Sequence, residues 1–392
     1  MSTIIINANI ITETKILNNY SVKIFNGKIT QVAHKIASTP KDTVIDAGGK
    51  YLSSGFIDIH VHGGGGSDFM DATQEDFNKI LTFHVAHGTT GMLATTLTSS
   101  DEELFDTINC YNTYVSHSYK GSRLLGLHLE GPYFSHGQRG AQDPKYLQNP
   151  HPLHYNKILD QTSQIKRWSA APELEGTREL AFKCRERDII MSMAHTDCTA
   201  KEAFDAYQSG YELITHFYSC MNSVIRKDCY RIAGLIEAGY LIDGLKVEII
   251  ADGSHLPPEL LKLIFKIKGT DNICLVTDCS SAGGLEGVKG KIGSRKNGQP
   301  IIIKNGVAFL EDMSGFAGSI ATTDILLETM LNHSGATLCQ AVQMLTTTPA
   351  KILGLQNSKG KIAKGYDADI VVFDYKDKKV KVTKVFVEGF LQ

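Results

Sequence analysis

Eight apolar runs of strand length recur between residues 56 and 280: FIDIHVH (56–62), TTGMLATT (89–96), LLGLHLEG (124–131), RWSAAPE (167–173), DIIMSMAH (188–195), LITHFY (213–218), KVEIIADG (246–253) and ICLVTDCS (273–280). Helical candidates at 74–87, 101–117, 175–187, 200–209 and 257–268 fall between successive runs. Strands that alternate with amphipathic helices pair in parallel and use the helices as crossovers. The pattern therefore predicts an α/β chain, and eight repeats predict a closed (β/α)8 TIM-type barrel. An open doubly wound sheet is the competing topology.

At 392 residues the chain is longer than such a barrel needs. Residues 1–53 read as short strands: IIINANIIT, then SVKIFNGKITQVA with Asn26–Gly27 as a two-residue hairpin turn, then DTVIDAGGKYL. Near the other end GKIAKGYDADIVVFDY and KVKVTKVFVEGF have the same texture, separated by the Lys-rich turn KDKK. Neither segment alone gives a sheet enough face to bury. The two are expected to pair into one small β-sandwich domain, residues 1–53 and 356–392, beside a barrel of residues 54–355.

Forty basic and 42 acidic side chains nearly cancel to −2, so no global field recruits nucleic acid or an anionic membrane. Nowhere do 18 apolar residues run together, and MSTIIINANIITETK has no basic region ahead of its apolar stretch. A cytoplasmic protein acting on a small molecule is expected. The eight cysteines form no CxxC pair, so reduced thiols are the default.

The polar residues that interrupt the runs are not scattered. His60, His62, Glu130, His195, His216, His255 and Asp278 all fall at or just past the carboxyl ends of the proposed strands, where barrel enzymes keep their active sites. A single histidine in a strand is often a hydrogen-bonded core residue, but seven such groups on one rim point to a site. His60 and His62, two apart, project to the same side and can reach one ion. A solvent-facing strand fits poorly there, because Phe56, Ile57, Ile59 and Val61 make both faces apolar. The GGGG run that follows implies close backbone approach, and it lacks the third glycine of a dinucleotide fingerprint.

Glu130 closes an apolar strand, which is costly unless the carboxylate is paired or holds a metal. With His195 and His216 it makes a nitrogen and oxygen set suited to zinc, ferrous iron or another borderline ion rather than magnesium or calcium. Asp278 can take a proton from an attacking water and return it to a leaving nitrogen. Its alternative is a structural role, capping the following turn through Ser280 or Ser281. No GxxxxGK[ST] loop, HExxH or GxSxG elbow is present.

SSGFIDIHVHG resembles the first-strand metal motif of the amidohydrolase superfamily, and HLEGPY, AHTD, THFYSCM, IADGSH and LVTDCSSAGG resemble successive signatures of its N-acetylglucosamine-6-phosphate deacetylase branch. The resemblance covers nearly the whole chain. It implies metal-dependent hydrolysis of the acetamide of N-acetylglucosamine 6-phosphate, giving acetate and glucosamine 6-phosphate. Other branches bridge their metals with a carboxylated lysine where this one uses a glutamate, here Glu130. By resemblance Glu130, His195 and His216 hold one divalent ion; some relatives replace the HxH pair and keep that ion alone, so one or two ions are expected, a second being held by His60 and His62 with Glu130 and Asp278. Asp278 would be the catalytic acid and base. A homodimer is implied as well.

His255 matches a family histidine near the substrate, and Gln142 in RGAQ stands where several relatives have a histidine beside the substrate carbonyl; its amide can still donate a hydrogen bond. Two departures fall on the sugar and phosphate contacts. Ser219-Cys220-Met221 stands where the family reads Asn-Ala-Met, and the family's REPG arginine is absent. In its place RKDCYRIAG offers Arg226, Lys227 or Arg231, with a different geometry. An amidohydrolase that deacetylates another N-acetylated amino sugar, or another N-acyl compound, is the alternative.

Overall fold

The computed structural model describes residues 2–117, 119–285 and 289–392. The eight apolar runs form eight strands of one sheet: β1 (Phe56–Val61), β2 (Thr89–Thr95), β3 (Arg123–Glu130), β4 (Ile165–Ala170), β5 (Ile190–Met193), β6 (Tyr211–Ile214), β7 (Lys246–Ile249) and β8 (Ile273–Leu275). Their order in space is their order in the chain, and every pairing is parallel. Side chains and a loop amide join the two ends of the ladder. The Asp278 N–H donates to the His60 carbonyl at 2.9 Å, and Thr277 donates to the Asp58 carboxylate from its hydroxyl at 2.5 Å and its N–H at 3.3 Å. The sheet is thus a barrel, not an open doubly wound layer.

Helices α1 (Gln74–Ala86), α2 (Asp101–Val115), α3 (Pro152–Leu159), α4 (Thr177–Arg185), α5 (Ala200–Ser209), α6 (Leu235–Leu241) and α7 (Pro258–Lys268) each follow the strand of the same number. Their starts are locally encoded. Thr73 accepts from the Asp76 N–H ahead of α1, and Thr199 and Glu202 form a reciprocal cap on α5. Each presents an apolar stripe to the barrel; in α1 it is Phe77, Ile80, Leu81 and Val85. Among the described residues no helix is long and apolar enough to cross a membrane.

The two ends of the chain do meet in one sheet. Tyr51–Ser54 pairs antiparallel with Ile370–Lys376 on one side and parallel with Thr3–Ile11 on the other. Asn26 and Gly27 form the expected two-residue turn with φ of +48° and +71°, between Phe25 and Lys28. One face of the sheet buries Ile5, Ile10, Val22, Ile24, Leu52, Ile370 and Phe386. Val371, Phe373, Val385 and Val387 join the barrel core instead, with Phe56 and Phe373 ring centroids 6.3 Å apart. Only Gly55 separates the sheet strand Tyr51–Ser54 from β1, and a Cβ there would lie 2.0 Å from the Thr90 hydroxyl, so no other residue fits.

A third element is absent from the sequence reading. Between β8 and the later helices the chain forms an antiparallel sheet, Lys289–Ile292, Gln299–Lys304 and Val307–Leu310, that covers one side of the barrel mouth. The Gly293 N–H donates to Asp68 at 3.1 Å and the Arg295 guanidinium pairs with Asp71 and Asp76, tying this flap to the loop after β1.

The GGGG run behaves as expected. A Cβ on Gly64 would lie 2.5 Å from the Phe83 ring and 2.9 Å from His84 Nε2. His84 itself is buried, donates to the Gly63 carbonyl at 2.8 Å, and is held down by burial to a pKa of about 4 against an ordinary 6.5. The folded state therefore resists protonating it. Its contribution is complete above about pH 6.5 and is lost as pH falls toward 4, amounting to at most about 3 kcal/mol. A His84→Gln variant, which keeps a neutral donor, is expected to flatten the acid limb of a denaturation profile between pH 6.5 and 4; an unchanged slope would contradict this.

Candidate active site

The carboxyl ends of the strands bring the sequence candidates together. Glu130 is the last residue of β3, His60 lies in β1 and His62 just beyond it, while His195, His216 and Asp278 follow β5, β6 and β8 by two or three residues. The last three sit in left-handed backbone, with φ of +46°, +29° and +48°. Such conformations cost about 1–3 kcal/mol each and persist only where the surroundings over-determine them. The constraint is visible at His195: Glu173 accepts from Ser135, from Thr196 and, at 2.7 Å, from the Asp197 N–H, clamping the turn.

Two triads share one carboxylate, His60 with His62 and Glu130, and Glu130 with His195 and His216, all buried. Glu130 Oε1 lies 3.4, 3.3 and 3.2 Å from the Nε2 atoms of His60, His195 and His216, and Oε2 lies 3.3 Å from His62 Nε2. The imidazoles also face one another, His60 and His62 at 3.3 Å and His195 and His216 at 3.1 Å, nitrogen to nitrogen. Protons alone satisfy such a set poorly, since two facing nitrogens can share only one. Four imidazoles and a shared carboxylate turned inward in a buried pocket make a set of donors that suits a divalent cation.

Electrostatics follow from the same crowding. Burial opposes charge on His60 and His62, but Asp278 and Glu130 outweigh it, raising them to about 9 and about 10. Burial would raise Glu130, yet the imidazoles around it, His60 foremost, hold it well below the usual carboxylate range. Of the facing pair, His195 is raised, against its burial, by the neighbouring Cys220 and then Glu130, while His216 is lowered by its burial, with His195 adding to the effect.

Asp278 Oδ1 is 3.4 Å from His60 Nε2 and 3.2 Å from His62 Nε2. The turn-capping alternative fails, because the Ser280 N–H and hydroxyl go to the Ser319 carbonyl and the Ser281 hydroxyl to that of Lys291. Gln142 is fixed at both ends: the Thr98 N–H donates to its oxygen at 2.9 Å, and its amide donates to Glu130 Oε2 at 2.7 Å. One amide hydrogen thus serves the carboxylate and the other remains for the cavity.

Above the cluster opens a cavity of about 520 Å³, the size of a small-ligand site. Gln142, Ser219, Cys220 and His255 line it with His62, Glu130, His195, His216 and Asp278. His255 packs on Phe316 with centroids 4.7 Å apart, and its Nδ1–H donates to Asp252 at 2.8 Å. Arg226, Lys227 and Arg231 are not in this lining. They lie on an exposed hairpin, Ile225–Lys227 with Tyr230–Ile232, where Arg226 approaches the Cys229 sulfur and Arg231 donates to the Cys229 carbonyl. Arg139, two residues before Ala141 in the same loop as Gln142, is the one lysine or arginine among the described residues lining the cavity.

Beneath the cluster lies a polar layer that sequence reasoning did not single out. Arg167 in β4 and Glu248 in β7 are fully buried and form a two-pronged ion pair, with Nη2 to Oε2 at 2.9 Å. Arg167 also donates to Ser192 at 2.8 Å, Thr215 at 2.7 Å and the Ile59 carbonyl at 3.1 Å, so all five of its N–H groups are used. Glu248 Oε2 reaches His60 Nδ1 at 3.3 Å. His128 bridges Thr95 at 3.2 Å and Ser169 at 2.7 Å on the neighbouring strands.

Residues 51–391 match the amidohydrolase family. The chain is 32% identical over 377 residues to N-acetylglucosamine-6-phosphate deacetylase of Lysinibacillus sphaericus, covering 95% of this chain and 94% of that protein. Among solved structures, the N-acetylglucosamine-6-phosphate deacetylase of Pasteurella multocida superposes with a TM-score of 0.92 at 25% identity over the full length of both chains. A variant of the Mycobacterium smegmatis enzyme in complex with N-acetyl-D-glucosamine-6-phosphate gives 0.89 at 26% identity, over 100% of this chain and 99% of that one. By sequence and by architecture the chain belongs to the amidohydrolase family, on its N-acetylglucosamine-6-phosphate deacetylase branch.

Proposed function

We propose that this protein hydrolyses the acetamide of N-acetylglucosamine 6-phosphate to acetate and glucosamine 6-phosphate, with Glu130, His195 and His216 holding one divalent ion and His60 and His62, sharing Glu130, holding a second. The observation that carries this reading is the pair of His/His/Glu triads at the floor of a cavity of sugar size. The nitrogen-rich donor set favours zinc or ferrous iron. When bound, such an ion acidifies water and polarises the amide carbonyl.

The chain's own residues supply the rest. Asp278 is placed to accept the proton of the attacking water and deliver it to the departing amine nitrogen. Gln142 keeps Glu130 in place and turns its remaining amide hydrogen toward the substrate carbonyl. His255, with Nδ1–H committed to Asp252, offers Nε2 to the sugar, beside Ser219 and Cys220.

For the phosphate, Arg139 in the cavity lining joins the hairpin cations Arg226, Lys227 and Arg231 as a candidate for the anchoring charge. Charge-assisted hydrogen bonds are worth about 1.5–3 kcal/mol, so Arg139→Gln is expected to raise KM for the 6-phosphate about ten- to a hundredfold. KM for unphosphorylated N-acetylglucosamine should not move; an equal rise for both sugars would remove Arg139 from this role. The reading as a whole is tested by acetate release from N-acetylglucosamine 6-phosphate, N-acetylgalactosamine 6-phosphate and their unphosphorylated parents. No release from any of them would overturn it.

The exposed apolar side chains of Val224, Tyr230 and Leu241 support a homodimer, which analytical ultracentrifugation would register. The eight free thiols support a cytoplasmic location.

A further inference from the structure

We propose that Glu248, locked in place by Arg167, is a positioning residue for the metal site: it receives the Nδ1–H of His60 and so aims the opposite nitrogen, Nε2, into the cluster. The inference rests on the reading of His60 as a metal ligand.

An imidazole that binds a cation through one nitrogen needs a partner for the other, to fix its tautomer, its ring plane and its basicity. The four histidines differ in this respect. His195 Nδ1 lies 2.8 Å from the Gln138 carbonyl, whereas the Nδ1 atoms of His62 and His216 have no partner among the described residues. His60 has a carboxylate, at 3.3 Å from Glu248 Oε2. The same oxygen accepts from the backbone N–H of His216 at 3.4 Å, so one carboxylate holds the His60 ring and the main chain at His216.

The carboxylate cannot turn away. Both of its oxygens are engaged by Arg167, whose remaining donors are tied to β5, to Thr215 beyond β6 and to the carbonyl preceding His60. Both side chains are completely buried. A pair needed only for packing has no reason to face a ligand's far nitrogen, and burying two charges is poor economy when apolar residues of that volume would do.

The test separates charge pairing from the acceptor function. In Arg167→Met/Glu248→Leu both charges go and so does the acceptor; in Arg167→Met/Glu248→Gln the charges go but an amide oxygen remains for His60. Metal affinity, read by chelator competition with zinc, is expected to fall about ten- to a hundredfold in the first, the usual scale for losing such a partner, and to stay near wild type in the second. Equal affinity in the two would overturn the proposal, even if both lose thermal stability. Should either double variant fail to fold by circular dichroism, Glu248→Asp decides: it keeps the charge beside Arg167 but is too short to serve His60 as well. Weaker zinc binding is then expected, and wild-type affinity would overturn the proposal. A wild-type protein that binds no zinc at all would instead refute the metal site itself.

Discussion

Glu130→Ala is expected to abolish turnover and strip the protein of metal together. It is the one residue common to both triads, and each of its oxygens faces imidazole nitrogens at 3.2–3.4 Å. Without it, His195 and His216 lose the carboxylate they face, and Asp278 beside His60 and His62 is left as the carboxylate facing the inward nitrogens. A divalent ion in such a site supplies several kcal/mol of transition-state stabilisation, so loss of at least about a thousandfold in kcat/KM is expected. Elemental analysis of the purified variant, paired with acetate release before and after zinc is added back, checks both halves. A variant that retained its metal and its rate would refute the bridging assignment. Glu130→Gln sharpens the comparison, since it preserves volume while removing charge.

Asp278→Asn should do something different. Asparagine matches the aspartate in shape, tolerates the φ of +48° and keeps the N–H bonded to the His60 carbonyl, so the barrel is expected to stay closed. What it cannot do is accept a proton. A fall in kcat of about 10²–10⁴ is expected, the range for losing a general acid or base, with KM within a few-fold of wild type and the ion of Glu130, His195 and His216 retained. Loss of substrate binding in step with kcat would make Asp278 a binding residue instead.

Much of this site could be read from spacing alone, because parallel strands deliver their carboxyl ends to one rim. His60, His62, Glu130, His195, His216 and Asp278 needed only the count of eight apolar runs to be placed near one another. The polar layer below them left a signal too. Arg167 in RWSA and Glu248 in VEII are charged residues inside apolar strands, where an unpaired charge is untenable, and each demanded a partner. Which partner was invisible, since β4 and β7 lie on opposite sides of the barrel and more than 80 residues separate the two in sequence. The flap of residues 289–310 was missed for another reason: its strands are short, mostly half-exposed and joined by Gly and Lys turns, so they carry little periodicity. The basic hairpin shows what nearness along the chain leaves open: Arg226 follows His216 closely in sequence, yet it lies on an exposed pair of short strands outside the cavity lining.

The sheet formed by both ends of the chain bears on how the protein is made. Tyr51–Ser54 obtains its antiparallel neighbour, Ile370–Lys376, only after the whole barrel between them has been translated. Until then a nascent barrel carries an unzipped border beside β1, with Phe56 waiting for Phe373. Because Gly55 is the sole spacer between that border and the strand bearing His60, a segment translated after the barrel borders the strand that carries His60. The border beside the barrel's first strand is therefore closed after, rather than before, the other seven strands have been made.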